Sequence, residues 1–558
     1  MDVMRISGMA SGMDTETMVR DLMRAERIRV DKYNQQKQLA LWRQEQYNTV
    51  NKDFANFILD TRKELELMKS NSYGSSFANS KESFKWVKKA TSSDEDIFTA
   101  QALAGAPTGT HTIKIEKLAK GVNAASTTAV KDKDGNDATK STTMADMGVA
   151  AGSVTFQIKV NEVDTETIEI SYTQDDTIGD LVTKINDAVA NDTAKTPLGI
   201  QASFDDTTGR LFLSTKGTGA TAQIKVTQDT QSLFTGTNVG ENKFHMQIAD
   251  GTDLLTGKTG QDAEISFNGA QGLKYDSNTF TLNGIQIDLK AIPADTTKEY
   301  TIKVDTDVNG VYDKIKSFVD KYNELVEKMN KKISEKRYRD FQPLTAEQKE
   351  AMSEEDIKKW EEKAQSGLLR NDEFVGEILQ SVRSGLYEKV EGISGPYNQL
   401  HTIGITTGEW KDKGKLVISE EKLKKAIEND VDGVMDLLFS PSNNEDRSKS
   451  GLVNRLYDDI TEGMKQIIDK SGTGDNAELY RSVKSNILID FVTGGNGRKG
   501  SISLLDEDVF GFEKRIMEEE RRLAGIEEGY WRKFTAMEKA LSQMNSQSAW
   551  LAGQLGGM

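Results

Sequence analysis

Few side chains in this 558-residue chain stand where chemistry could be done. Three histidines, His111, His245 and His401, sit in unrelated contexts, with no cysteine and no HxxxH or HExxH spacing to hold zinc. Asp132, Asp134 and Asp137 surround Gly135 and faintly suggest a calcium loop. The EF-hand order and its closing glutamate are missing, so the run reads as a turn. Gly495-Asn-Gly-Arg-Lys-Gly500 fits GxGxxG and follows an apolar run, Ile487 to Val492. A nucleotide fold would need a helix opening at once and a second parallel strand ending in an acid. Neither follows, so a glycine-rich loop entering the last helix is the better reading. No P-loop is present and no Ser, Lys or carboxylate is poised as nucleophile or base. The sequence predicts no enzyme, no cofactor and no metal.

What the pattern does specify is a surface. From Tyr530 one stripe takes Phe534, Met537, Leu541, Met544, Ser548, Leu551 and Leu555, in alternating steps of 4 and 3. That is a heptad seam interrupted only by Ser548, on a helix predicted over Val509 to Leu555. Ile516, Leu523 and Ile526 extend it upstream less regularly. From Leu541 to Met558 there is no charged residue. Such a helix has one face to bury and little to keep it soluble alone. It is expected to fray until it meets a partner helix, which makes it a docking device.

Composition narrows the classes. The length exceeds one core and suggests three or four domains. A 36% hydrophobic and 29% charged chain with 6 prolines describes soluble globular material with long helices. A formal net charge of −16 with no basic block argues against nucleic acid. No apolar run approaches the ~20 residues of a membrane span. Met1 to Met13 has no apolar signal-peptide core. With no cysteine, this fits either a chain exported unfolded by another route or a cytosolic one without thiols.

Along the chain, Asp14 and Thr15 can cap a helix carrying Met18, Val19, Leu22 and Met23 on one face. Ile28 to Gln46 is polar (Asn34, Gln35, Gln36, Gln38) and reads as a solvated or loosely paired helix. The stripe sharpens at Tyr47, Val50, Phe54 and Leu65. After a Ser/Asn/Gly linker at Ser70–Ser83 the period changes to two. A strand at Thr110–Lys117 precedes a low-apolar surface loop at Val122–Gly152. Residues 153–228 form an α+β unit of five strands, with one helix capped at Thr177. Strands recur to Val304, and helix returns at Asn309 with Val311, Ile315, Phe318, Tyr322, Leu325 and Met329. Further helices are expected over 346–364, 372–388, 419–429 and 449–470, with a hairpin at Gly404–Ile418.

Several stretches resemble the flagellar filament cap, or hook-associated protein 2, family. They are SGMASGMDTETMVRDLMRAERIRVDKY from Ser7, GQDAEISFNG from Gly260, and YTIKVDTD to KIKSFVDKYNELV ending at Val326. IGITTGEWKDKGKLVISEEKLKKAI from Ile403 and the tail KALSQMNSQSAWLAGQL complete the order. TIGDLVTKINDA with IQASFDDTTGRLFLSTKGTG is similar to a module shared by other flagellar axial proteins. Segments 122–150 and 335–365 match less well.

The resemblance implies a structural cap at the filament tip that promotes flagellin folding and insertion. It implies a homo-oligomeric ring, typically a pentamer, with β domains as a plate and helices as legs. The implied partners are flagellin, the hook–filament junction protein, a cytoplasmic export chaperone on the C-terminal helix and, in some members, host mucin through adhesion. No nucleic acid and no membrane partner is implied. Export would run through the flagellar type III channel to the distal tip of the filament.

The expected fold class is multidomain α and β, with terminal coiled-coil helices, a helical body and two nested mainly-β (α+β) domains looped out in the middle. The expected divisions are 1–42 with 518–558, 43–75 with 309–517, 76–121 with 236–308, and 122–235. The partner-docking residues are Met13, Met18, Leu22, Tyr530, Phe534, Met537, Leu541, Met544, Leu551 and Leu555. Spacing alone leaves open an intramolecular coiled coil with no assembly role. The alternative functions are another flagellar axial or junction protein, or a secreted glycan-binding tip protein.

Overall fold

A 50-residue helix, α1 (Thr15–Glu64), is the first element of the described chain. Asp14 caps it, accepting from the Thr17 backbone amide at 3.0 Å and so satisfying one orphan N–H of the first turn. In the computed structural model the described residues are 14–70, 76–78, 80–159, 165–190, 196–235, 242–246, 259–443, 445–472 and 503–555. The chain divides into two units: Met1–Asn79 with Val308–Met558, and Ser80–Asp307. The fold is mixed α and β and multidomain.

Strands β1 (Met68–Ser70) and β2 (Ser76–Ala78) pair antiparallel after α1. In the Ser80–Asp307 unit, strands β3 (Lys88–Ser92), β4 (Phe98–Ala102) and β5 (Gly109–Lys117) lead into an inserted module. β12 (Ala263–Phe267), β13 (Ala270–Tyr275), β14 (Thr279–Leu282), β15 (Ile285–Leu289) and β16 (Tyr300–Thr306) follow it. A five-stranded sheet, β13-β12-β5-β16-β3, and a three-stranded one, β14-β15-β4, bury Phe98, Ile113, Ile115, Ile265, Ile287 and Ile302 in one core. Every pairing in these two sheets is antiparallel; short turns require it for β12–β13 and β14–β15, and the other pairs join strands far apart in the chain.

The inserted module runs β6 (Asn123–Ala125), β7 (Gly152–Lys159), β8 (Thr165–Tyr172), α2 (Ile178–Asp187), β9 (Ile200–Asp205), β10 (Arg210–Thr215) and β11 (Lys225–Asp229). Thr177 and Asp180 form a reciprocal capping box at α2. This module has its own core, around Phe156, Ile178, Leu181, Leu213, Phe234, Phe244 and Met246. The expected surface loop at Val122–Gly152 is overturned here, because Val130, Ala138, Met144, Met147 and Val149 belong to that core. Their spacing has no period because the segment is irregular. Its backbone is satisfied across the module instead, as in Val130 N to Gly209 O at 2.7 Å and Met144 N to Asp176 O at 2.8 Å.

In the other unit α1 is joined by α3 (Val308–Ser334), α4 (Ala346–Glu350), α5 (Glu354–Gln365), α6 (Glu373–Tyr387), α7 (Glu420–Asn429), α8 (Val431–Phe439), α9 (Leu452–Ser471) and α10 (Leu504–Leu555). The α3 stripe read from sequence is buried, Val311 to Met329. The helix expected over 346–364 is broken, with Ser353 capping α5. Helix α8 escaped sequence reading. It is buried on nearly every face, so it shows no amphipathic period, and Asp430 serves as both the end of α7 and the cap of α8.

Candidate functional site

The terminal helices α1 and α10 run antiparallel. Glu26 pairs with Arg522 at 3.5 Å, Lys37 with Glu513 at 2.7 Å, and Gln44 with Asp506 at 2.7 Å, so numbers rise on one helix as they fall on the other. Between these polar pairs Val19, Met23, Val30 and Leu523 are buried, and Ile516, Ile526, Tyr530, Trp531 and Phe534 pack half-buried against them. Extended to the start of α1, this register sets Thr15 opposite the turn around Phe534. Phe534 is thus where α1 ends along α10; further on, Glu538 is still buried and Met537 and Leu541 are half-buried.

The seam residues therefore divide. Tyr530 and Phe534 lie in the α1–α10 cluster, and Met537 and Leu541 are half-buried. Met544 and Leu551 are 60% and 52% exposed. From Ser542 to Gly553 every residue is exposed, which leaves a charge-free helix surface, apolar at Met544, Trp550 and Leu551, more than three turns long. On α1, Met18 and Leu22 are 41% exposed each, while their neighbours Val19 and Met23 are the ones turned to α10. Met13 and the side chain of Leu555 lie outside the described residues. Trp550, 63% exposed, was missed because it stands beside the heptad register; a large aromatic in a charge-free run was the available signal.

The expectation of a tail frayed along its length is corrected: α10 is one helix of 52 residues. Its first half has an intramolecular partner in α1. Once that half is helical, each added turn needs no new nucleus. The Asp14 carboxyl at the far end of α1 is held below its usual range by hydrogen bonds from Thr17.

The residues with chemical potential are otherwise occupied. Asn268 Nδ2 donates to His111 Nδ1 at 2.9 Å, which leaves His111 Nε2 to donate to the Pro107 carbonyl at 3.0 Å. Asp132 accepts from the amides of Asp134 and Asn136, at 2.9 and 2.8 Å, as a turn-closing side chain. Asp137 is taken by Lys131 at 2.6 Å. The GxGxxG at Gly495–Gly500 lies outside the described residues. Among the described residues no group of His, Cys, Asp and Glu is arranged to hold a metal ion, and no helix is long and apolar enough to cross a membrane.

Residues 260–546 match the family profile described as flagellar hook-associated protein 2 C-terminus, and residues 11–122 match its N-terminus. The flagellar hook-associated protein 2 of Halalkalibacterium halodurans is 30% identical over 582 residues, covering 98% of each chain. This chain belongs to the flagellar hook-associated protein 2 family. The hook-associated protein 2 of Thermotoga maritima is 28% identical, covering 72% of this chain and 55% of its own. Residues 155–217 match the flagellin hook IN motif, on the α2 module that sequence reading had set apart. Among solved structures, the D1–D2–D3 domains of the flagellar cap protein FliD from Escherichia coli align with 20% identity and a TM-score of 0.47, covering 75% of this chain and 96% of that one.

Proposed function

We propose that this hook-associated protein 2 family member caps the distal tip of the bacterial flagellar filament and promotes folding and insertion of flagellin as the filament grows. The observation that carries the reading is the distal third of α10: helical, free of charge, and exposed on Met544, Trp550 and Leu551. In a soluble chain such a surface signals a partner. The partners that fit are helices of neighbouring copies, of flagellin and of the hook–filament junction protein, since a heptad seam is met by another helix. Before assembly the same face needs cover, which suits a cytoplasmic export chaperone and passage through the flagellar type III channel. A homo-oligomeric ring, of five copies by family type, goes with this reading. So does a non-enzymatic role and the four-part division at residues 42, 75, 121 and 235. Adhesion to host mucus would belong to the strand modules.

Microscopy of the purified full-length chain tests the reading, with closed rings expected. Uniform monomers indifferent to flagellin would overturn it.

A further inference from the structure

Between α3 and α6 the chain makes an excursion, residues 335–372, that is pinched shut at its base. Ser366 Oγ donates to the Lys336 carbonyl at 2.7 Å, the Gly367 amide to Glu335 Oε2 at 3.1 Å, and the Asn371 amide to the Ile333 carbonyl at 2.8 Å. Gly367 has φ +68°, and a Cβ there would lie 2.8 Å from the Arg337 nitrogen, so this approach of two backbones calls for glycine. Inside the excursion Phe341 and Trp360 pack with ring centroids 4.6 Å apart, and Trp360 Nε1 donates to the Gln342 carbonyl at 2.8 Å. It is a closed arm with a small core of its own.

That core continues into α1. Leu39 and Trp42 of α1 cluster with Phe341, Trp360, Ala364 and Leu368. Gln35 Nε2 donates to the Pro343 carbonyl at 2.7 Å, Gln46 Nε2 to the Gln365 carbonyl at 2.8 Å, and Arg24 Nε to Glu347 Oε2 at 3.0 Å. Residues 24, 35, 39, 42 and 46 are spaced as one helix face. Residues 19, 23, 30, 37 and 44, which meet α10, form another. Gln35 and Lys37, or Trp42 and Gln44, are two residues apart, roughly 200° round the helix. Helix α1 is thus gripped from opposite sides. The expectation that Ile28–Gln46 is solvated or loosely paired is overturned. A helix covered on two faces has no single apolar stripe, and its glutamines reach loop carbonyls instead of water.

We propose that the 335–372 arm is a strap that holds residues 24–46 of α1 rigid along the face turned away from α10, so that the terminal helix pair is presented stiffly before any partner is bound. The need follows from the thinness of the other face. Among the described residues four buried side chains, Val19, Met23, Val30 and Leu523, form the centre of that face, few for so long a helix pair, because most helical stability comes from tertiary packing. The strap adds a second packed face over the polar half of α1. It also covers Trp42 and half-covers Leu39, apolar side chains of α1 that α10 does not reach. The proposal is independent of what α10 docks to.

Amide hydrogen exchange on the full-length chain tests it, comparing wild type with Phe341→Ala/Trp360→Ala and, more mildly, Gln35→Ala/Gln46→Ala. Exchange in peptides covering 24–46 is expected to rise roughly tenfold or more in the aromatic variant and about threefold in the glutamine variant. Peptides from Ser80–Asp307 and α9 should be unchanged, showing that the chain has not simply unfolded. If exchange rises within 338–366 but not within 24–46, or if neither variant changes 24–46, the strap is overturned. Exchange on the isolated chain does not depend on ring formation, so it separates this proposal from the cap reading.

Discussion

Gln44, at the middle of α1, donates from Nε2 to Asp506 Oδ1 across 2.7 Å in the first turn of α10, and both side chains are buried. The same nitrogen donates to the Ser471 carbonyl at the end of α9, at 2.8 Å. One amide therefore ties α1 to the last residue of one helix and the first turn of the next. Ser503 completes the group, donating to Asp506 Oδ2 from its amide at 2.8 Å and its hydroxyl at 2.6 Å.

Gln44→Met keeps the length and removes the donors. A buried carboxylate and a buried carbonyl each lose a hydrogen bond, which costs about 2–3 kcal/mol. Gln44→Glu should be worse, because it sets a second carboxylate against Asp506. Urea denaturation followed by tryptophan fluorescence checks this. A loss below ~0.5 kcal/mol for both would mean that Gln44 is incidental to the junction.

This junction shows what sequence could and could not reveal. The alternating strands, the Thr177 cap, the α3 stripe and the heptads of α10 were legible because each is a local period or a local side-chain-to-backbone bond. Gln44 was not, because its value depends on Ser471 and Asp506, far along the chain. Val130 and Met144 were misread for the same reason: their burial is set by strands elsewhere in the module. Ile28–Gln46 of α1 failed differently, since two packed faces cancel the one-sided signal that identifies an amphipathic helix. On α10 the seam itself was readable. The depth to which α1 covers it, ending near Phe534, was not.

The contact between α6 and α9 makes a sharper test. A Cβ on Gly463 would fall 2.1 Å from Ile378 Cγ1, so the two helices approach through the missing side chain. Gly463→Ala gains helix propensity yet must push α6 away, with a net loss of ~1–3 kcal/mol. Ile378→Ala alone should cost about 2–4 kcal/mol as a cavity. The double variant should be more stable than the sum of the two losses, because the added methyl fills part of the space vacated. Strict additivity in melting experiments would show that the two residues do not meet.

Asp458 supplies a pH-dependent case. It lies in a polar cleft with Glu377, Arg447 and Asp459, accepting from Ser442 Oγ at 3.2 Å. Burial pushes its carboxyl above the usual range, against the pull of Ser442, Arg62 and Arg447. With the folded pKa raised, the folded state holds the proton more tightly than the unfolded chain. The stabilisation is then present below the unfolded pKa and lost as pH rises through the folded one. At neutral pH the ionised group is a liability, so Asp458→Asn should melt higher than wild type at pH 7. The gap should shrink as pH falls toward 4. A variant that melts lower at pH 7 would show that the two arginines outweigh burial.

The last prediction concerns the exposed end of α10. Leu541→Asp and Met544→Asp place a charge on the seam beyond the reach of α1, where Leu541 is half-buried and Met544 is 60% exposed. In the isolated chain Met544→Asp should change stability by less than ~0.5 kcal/mol, as for a surface substitution, and Leu541→Asp, at a half-buried site, by more. In an assembled interface the same charges would be desolvated against apolar helices, a penalty of several kcal/mol that abolishes docking. Cells carrying either variant should therefore still export the chain and fail to grow filaments. Trp550→Ala should weaken attachment more than Ser548→Ala, since a large aromatic contributes buried area that a serine does not. The contrast with Tyr530→Asp is the control: Tyr530 packs inside the α1–α10 cluster, so its substitution should already destabilise the isolated chain. If Met544→Asp leaves filament growth intact while Tyr530→Asp unfolds the helix pair, α10 is a purely internal coiled-coil strand. Its charge-free end would then have no docking role.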